Sequence, residues 1–129
     1  MNQKKILIAD DDPDILEQVS LLLKGEGYQV LGAHSQEEAE EALLTAIPDL
    51  AIFDLMMENK DSGFVLCHHV KRLYPETPVI ILTAVAAATG LNFSSPSPEV
   101  RSWIKADTFL NKPVRPEQLR AEVHRLLDR

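Results

Sequence analysis

Five short apolar runs alternate along this chain with segments of helical period, and that alternation limits the folds open to it. The runs are ILIA at 6–9, YQVLGA at 28–33, Leu50-Ala51-Ile52-Phe53, PVIIL at 78–82 and TFL at 108–110. Each is of strand length, and each stops just before a polar residue. Between the first two, Asp12 is placed as an N-cap and Pro13 suits a first helical turn. Ile15, Leu16, Val19, Leu22 and Leu23 then recur with helical period up to Gly25 and Gly27. Ser35 with Glu38 three residues on forms a capping box that opens a second helix through Ala39, Ala42, Leu43 and Ala46. Pro48 ends it. A polar loop at 58–63 leads to a helix over about 64–74, closed by Pro75, and Pro116 opens a last helix with Leu119, Val123, Leu126 and Leu127 on one face. Between 83 and 108 the pattern weakens: a Gly, Ser, Asn and Pro-rich loop at 89–98 is followed by a short helix near 100–104, with Trp103 packed under that loop. Alternating strands and helices without a linker call for one α/β domain, a parallel sheet with helices on both faces. Strand order is not readable from alternation alone.

Length and composition narrow the function. With 129 residues the chain has the size of a single domain. No apolar run approaches the roughly 20 residues of a membrane span, and no signal-peptide core follows the N-terminus, so no membrane insertion and a cytoplasmic location are expected. Cys67 is the single cysteine, which excludes an internal disulfide. A net charge of -7 leaves no basic patch for a phosphate backbone, so direct nucleic acid binding is not expected.

The chemistry lies where the strands stop. In a parallel sheet Asp10, Asp11, Asp54, Thr83 and Lys112 all project from one edge, the edge at which open α/β sheets bind ligands. Three carboxylates together repel one another and stay ionised only beside a cation. Hard oxygen ligands select Mg2+ or a similar ion. An Asp nucleophile, a hydroxyl donor and an ammonium clamp complete a set suited to phosphoryl transfer. Each residue alone has a plainer reading: the aspartates suit a helix N-terminus, and a lysine before proline is commonplace. Their coincidence at one edge carries the argument. Cys67-His68-His69 is a poorer metal candidate, because adjacent helical residues point about 100 degrees apart. His34 and His124 read as surface or boundary residues.

The runs ILIADDDPDI, LAIFDLMM, VIILTA and FLNKPV, in this order and at strand ends, resemble the receiver domain of two-component response regulators over nearly the whole chain. The resemblance implies a flavodoxin-like fold, a doubly wound parallel sheet of order 2-1-3-4-5. It also implies phosphorylation of Asp54 by a sensor histidine kinase or histidine phosphotransfer protein. Asp11, Asp54 and the Met56 backbone carbonyl would hold Mg2+, with Asp10 acting largely through water. Thr83 and Phe109 would be switch residues, Lys112 the ammonium that meets the phosphoryl group, and Lys112-Pro113 a cis peptide. The signal would pass to a downstream protein, and residues 1–129 would form a receiver without an output domain.

Two features depart from the family pattern. Glu58 stands where the family usually has Pro, and Asp61-Ser62-Gly63 follows after an apparent one-residue insertion. The interval from Thr83 to Lys112 is also longer than usual. Met56 and Val85, two residues beyond the acceptor and the threonine, are both apolar and unable to orient a water, which implies slow loss of the phosphoryl group. Two rival readings remain. A haloacid-dehalogenase-like phosphohydrolase needs a second Asp two residues past its nucleophile, a place held here by Met56. The motif can be drawn on Asp10 and Asp12, but Pro13 and a missing cap domain fit it poorly. A receiver-fold module that binds without being phosphorylated is opposed by the intact acceptor, acidic pair, Thr83 and Lys112.

Overall fold

The computed structural model describes residues 3–59, 61–83 and 106–128. Five strands, β1 (Lys5–Ala9), β2 (Gln29–Ala33), β3 (Leu50–Asp54), β4 (Val79–Thr83) and β5 (Thr108–Asn111), form one parallel sheet of order β2-β1-β3-β4-β5. Among the described residues four helices cover it: α1 (Pro13–Gly25), α2 (Gln36–Thr45), α3 (Ser62–Leu73) and α4 (Pro116–Leu127). The fold class and strand order are those expected. Val85, the 89–98 loop, Trp103 and the short helix near 100–104 lie outside the described residues. No helix among the described residues is long and apolar enough to cross a membrane.

The apolar runs form strands because both their faces find partners. Successive side chains of a strand point to opposite faces, so each central strand divides its residues between two layers. Ile6 and Ile8, Leu50 and Ile52, Ile80 and Leu82, and Leu110 pack with Leu16, Val19 and Leu23 of α1 and Leu119, Val123 and Leu126 of α4. Leu7 and Ala9, Ala51 and Phe53, and Val79 and Ile81 pack instead with Ala39 and Leu43 of α2 and Leu66, Cys67 and Val70 of α3. Every residue of β3 and β4 is buried.

Local signals fix the helix starts. Asp12 caps α1 by accepting from the Asp14 amide at 3.0 Å, and Ser35 Oγ caps α2 by accepting from the Glu38 amide at 3.1 Å. The capping box closes differently from the expected form, since the Glu38 carboxylate reaches one residue further back, to the His34 amide at 3.0 Å. α3 begins at Ser62, about two residues before the hydrophobic pattern starts, because its first turn is fastened to the end of β3: the Gly63 amide donates to the Leu55 carbonyl at 2.8 Å. A Cβ on Gly63 would stand 2.7 Å from the Asp54 carbonyl oxygen and 2.8 Å from the Leu55 Cα, both backbone atoms that cannot swing aside.

Gly63→Ala should therefore lower stability by about 1–3 kcal/mol through a forced backbone shift. Gly25→Ala, where a Cβ meets nothing within 4 Å, should be neutral or stabilise by up to about 1 kcal/mol. Urea unfolding midpoints of the two variants check this, and equal midpoints would refute the close approach at Gly63.

Candidate functional site

The two-residue period that builds the layers also assembles the site. Asp10 continues the set Ile6 and Ile8, Asp54 the set Leu50 and Ile52, and Lys112 the set that includes Leu110, so the three extend the α1/α4 side of the sheet beyond its carboxyl edge. Backbone pairing carries them into line. The Asp10 amide donates to the Ala33 carbonyl at 3.1 Å, the Leu55 amide to Leu82 at 2.8 Å and the Lys112 amide to Thr83 at 2.8 Å.

Their side chains meet. Lys112 Nζ lies 3.0 Å from Asp54 Oδ1 and 3.1 Å from Asp10 Oδ2, bridging the ends of β1, β3 and β5. The Asp10 Oδ1 atom accepts from the Asp12 amide at 2.9 Å, which ties the acid to the start of α1. Asp10 is 1% exposed and Asp54 6%, whereas Asp11 is exposed. Ligand oxygens of Asp10, Asp11 and Asp54 all lie within 4.8 Å of one another, and this is the sole such cluster among the described residues. Three carboxylates face one ammonium, so with all groups ionised the site keeps two excess negative charges.

Asp54 feels both burial and this imbalance. Burial pushes its carboxyl up to about 6; the Lys112 hydrogen bond and charge oppose this, while Asp10 and Asp11 add to it. Burial favours the neutral form of Lys112, but the Asp54 and Asp10 carboxylates outweigh it and raise its pKa. The donor set fits a hard divalent cation. It offers carboxylate oxygens alone, on a partly open edge, with a charge deficit that a cation would fill.

The remaining expected residues sit around this centre. Thr83 is buried at the end of β4, in register with Asn111. It follows Val79 and Ile81, the α2/α3 side of the sheet, and Phe109 lies on that side too, half-buried with its ring edge-on to Phe64 at 6.3 Å. Met56, two residues past Asp54, is 44% exposed. The Lys112-Pro113 peptide is cis, as the resemblance implied. Cys67 is buried, and burial pushes its thiol up to about 12, which leaves it inert toward metals at neutral pH. His69 Nε2 pairs with Glu40 across α2 and α3 at 3.7 Å, while His124 joins Glu26 at 3.3 Å and Tyr28 at 3.4 Å.

Two contacts had no clear sequence signal. Asp107 Oδ2 accepts from Lys71 at 2.9 Å and from the Val79 amide at 2.8 Å, fastening the entry of β5 to α3 and β4 at the far edge of the sheet. The Glu58 carboxylate accepts from the Gln36 amide at 2.8 and 3.1 Å, and these backbone donors hold its pKa below the usual range. Only the departure from Pro at that position marked Glu58 in advance.

Comparison with known proteins agrees with this geometry. Residues 6–124 match the response regulator receiver domain, and the chain belongs to that family. It is 36% identical over 129 residues to the regulatory protein VanR of Enterococcus faecium, covering 97% of this chain and 50% of that protein. The chain spans about half the length of the curated relatives it matches first. Among solved structures, a CheY-like receiver domain protein from Methanospirillum hungatei superposes with a TM-score of 0.81 at 28% identity, covering 98% of this chain and 95% of that one. The Thermotoga maritima response regulator TrrA, solved in complex with Mg(2+)-BeF, superposes with a TM-score of 0.78 at 26% identity, covering 97% of this chain and all of that one, 100%.

The raised Asp54 pKa sets a pH dependence. The folded protein keeps this proton up to about pH 6, the unfolded chain only to about 3.8, so the folded state binds more protons between the two values. The contribution to stability is complete below the unfolded value and is lost as pH rises through about 6. In chelator, Asp54→Asn should remove this falling limb and gain about 1–3 kcal/mol relative to the native protein between about pH 4 and pH 8. Lys112 loses a partner in the variant, so the slope with pH, read from urea midpoints, carries the test. Parallel slopes would contradict it.

Proposed function

We propose that this chain is a phospho-accepting switch of a two-component phosphorelay, with Asp54 as the acceptor. The observation that carries the reading is the Lys112 ammonium held 3.0 Å from Asp54 and 3.1 Å from Asp10, beside a third carboxylate. The donor is a phosphohistidine on a sensor histidine kinase or histidine phosphotransfer protein. An Asp54 oxygen attacks phosphorus in line, the P–N bond to the imidazole breaks, and the phosphoryl group moves to the carboxylate. Lys112 is already in place to meet the charge on the arriving oxygens, so little reorganisation is needed at the moment of reaction. Asp11, Asp54 and the Met56 carbonyl would hold Mg2+, with Asp10 acting largely through water, and the ion supplies charge neutralisation to the phosphoryl oxygens when bound. That TrrA was solved with Mg(2+)-BeF supports a Mg2+ site in this chain by analogy.

The product at Asp54 adds negative charge and strong acceptor oxygens to a buried strand end. Thr83, at the neighbouring strand end, donates its hydroxyl to one of them. Movement of Thr83 leaves room on the side of the sheet occupied by Phe109, the half-buried ring that packs edge-on to Phe64 and would change place as Thr83 moves. This biases a two-state arrangement of β4 and β5 that a downstream protein reads. The chain is thus a signalling acceptor that assists its own phosphorylation and dephosphorylation, acting in the cytoplasm.

Intact mass after exposure to acetyl phosphate tests the reading. One phosphoryl group should be gained with Mg2+, and none in chelator or in Asp54→Asn. No gain by the native protein would instead favour a phosphorylation-independent binding module. Met56→Asn, which puts a water-orienting amide two residues past the acceptor, should speed phosphoryl loss on the order of tenfold. An unchanged lifetime, followed by the same mass measurement over time, would refute that role. Val85, the other position of that pair, lies outside the described residues.

A further inference from the structure

Glu58 replaces the proline of the family pattern, and its carboxylate does something that proline cannot. The first turn of α2 has three amides in need of acceptors. Ser35 takes the Glu38 amide at 3.1 Å, and Glu58, from the loop after β3, takes the Gln36 amide at 2.8 and 3.1 Å and approaches the Glu37 amide at 3.5 Å. A helix N-terminus favours an anion, so this is a cap supplied by a separate loop. A proline would fix its own φ and reach no other element.

The clasp bears on the site through the residues between its anchors. On one side Leu55 is fixed twice: its amide donates to the Leu82 carbonyl and its carbonyl accepts from the Gly63 amide, both at 2.8 Å. On the other side Glu58 is fixed to α2, and the Asn59 amide donates to Ser62 Oγ at 3.1 Å. Met56 and Met57 lie between these two anchors, and the Met57 amide donates to the Asn59 carbonyl at 3.2 Å.

We infer that Glu58 is a positioning residue, which by clasping the N-terminus of α2 holds the Met56 peptide in place for a divalent cation at Asp11 and Asp54. The inference rests on the cation reading proposed above. Groups one shell out from a metal govern affinity by orienting the ligands themselves. Coupling of this kind is reciprocal, so occupancy of the acidic cluster should also steady the first turn of α2.

Calorimetric binding of MgCl2 to the full chain tests this across the native protein, Glu58→Ala, Glu58→Gln and Ser35→Ala. The Ser35 variant removes a cap from the same turn without releasing the loop. Glu58→Ala should bind Mg2+ about tenfold more weakly, with Glu58→Gln between it and the native protein. Ser35→Ala should lower the melting temperature yet keep native affinity. In the native protein Mg2+ should also slow amide hydrogen exchange at Gln36 and Glu37, an effect absent from Glu58→Ala. Native affinity in Glu58→Ala, or equal weakening in Ser35→Ala, would overturn the clasp. No Mg2+ binding by the native protein would overturn the cation reading itself, together with the clasp's part in it.

Discussion

The Lys112 ammonium is the contact on which the carboxyl edge of this sheet depends. It sits between two almost fully buried carboxylates, 3.0 Å from Asp54 and 3.1 Å from Asp10, and joins the ends of three strands. Burying a carboxylate is costly unless it is paired. One ammonium cannot balance three acids: burial pushes the Asp54 carboxyl up to about 6, and the Asp10 and Asp11 charges add to this against the pull of Lys112. The edge is therefore held together and left with excess negative charge by the same arrangement, a state that suits the cation and the anionic group of the proposed reaction.

Around that centre the chain is rigid where chemistry needs register. Asp54 is the last residue of a strand buried along its length, and α3 is packed so tightly behind it that Gly63 has no room for a side chain. The loop between them is fastened at Leu55, Glu58 and Asn59. Thr83 and Phe109 share the opposite side of the sheet, where Phe109 is only half-buried. The proposed acceptor and the proposed switch thus occupy different faces of one sheet edge, and β4 connects them.

Much of this was legible in the sequence. The apolar runs marked the strands, Asp12, Ser35 and Pro116 marked helix starts, and five polar residues at four strand ends marked the candidate site. What alternation left open was strand order, since it depends on which crossovers neighbour which; that came from the resemblance. Contacts between distant elements left weaker traces. The two-residue early start of α3 is set by packing of Gly63 on Asp54, which no periodicity encodes. Glu58 stood out as a departure, but its partner, the first turn of α2, is 22 residues away in sequence at Gln36. Asp107, which binds Lys71 and the Val79 amide, gave no signal because an acid before a strand is ordinary.

The electrostatic account is tested most directly by following the Asp54 side-chain carboxyl carbon by NMR across pH, once in chelator and once with saturating Mg2+. Titration near pH 6 in chelator, moving below about pH 4 with Mg2+, is the predicted result. Titration near pH 4 under both conditions would mean that Lys112 alone balances the site, and would contradict the claim that the edge awaits a cation.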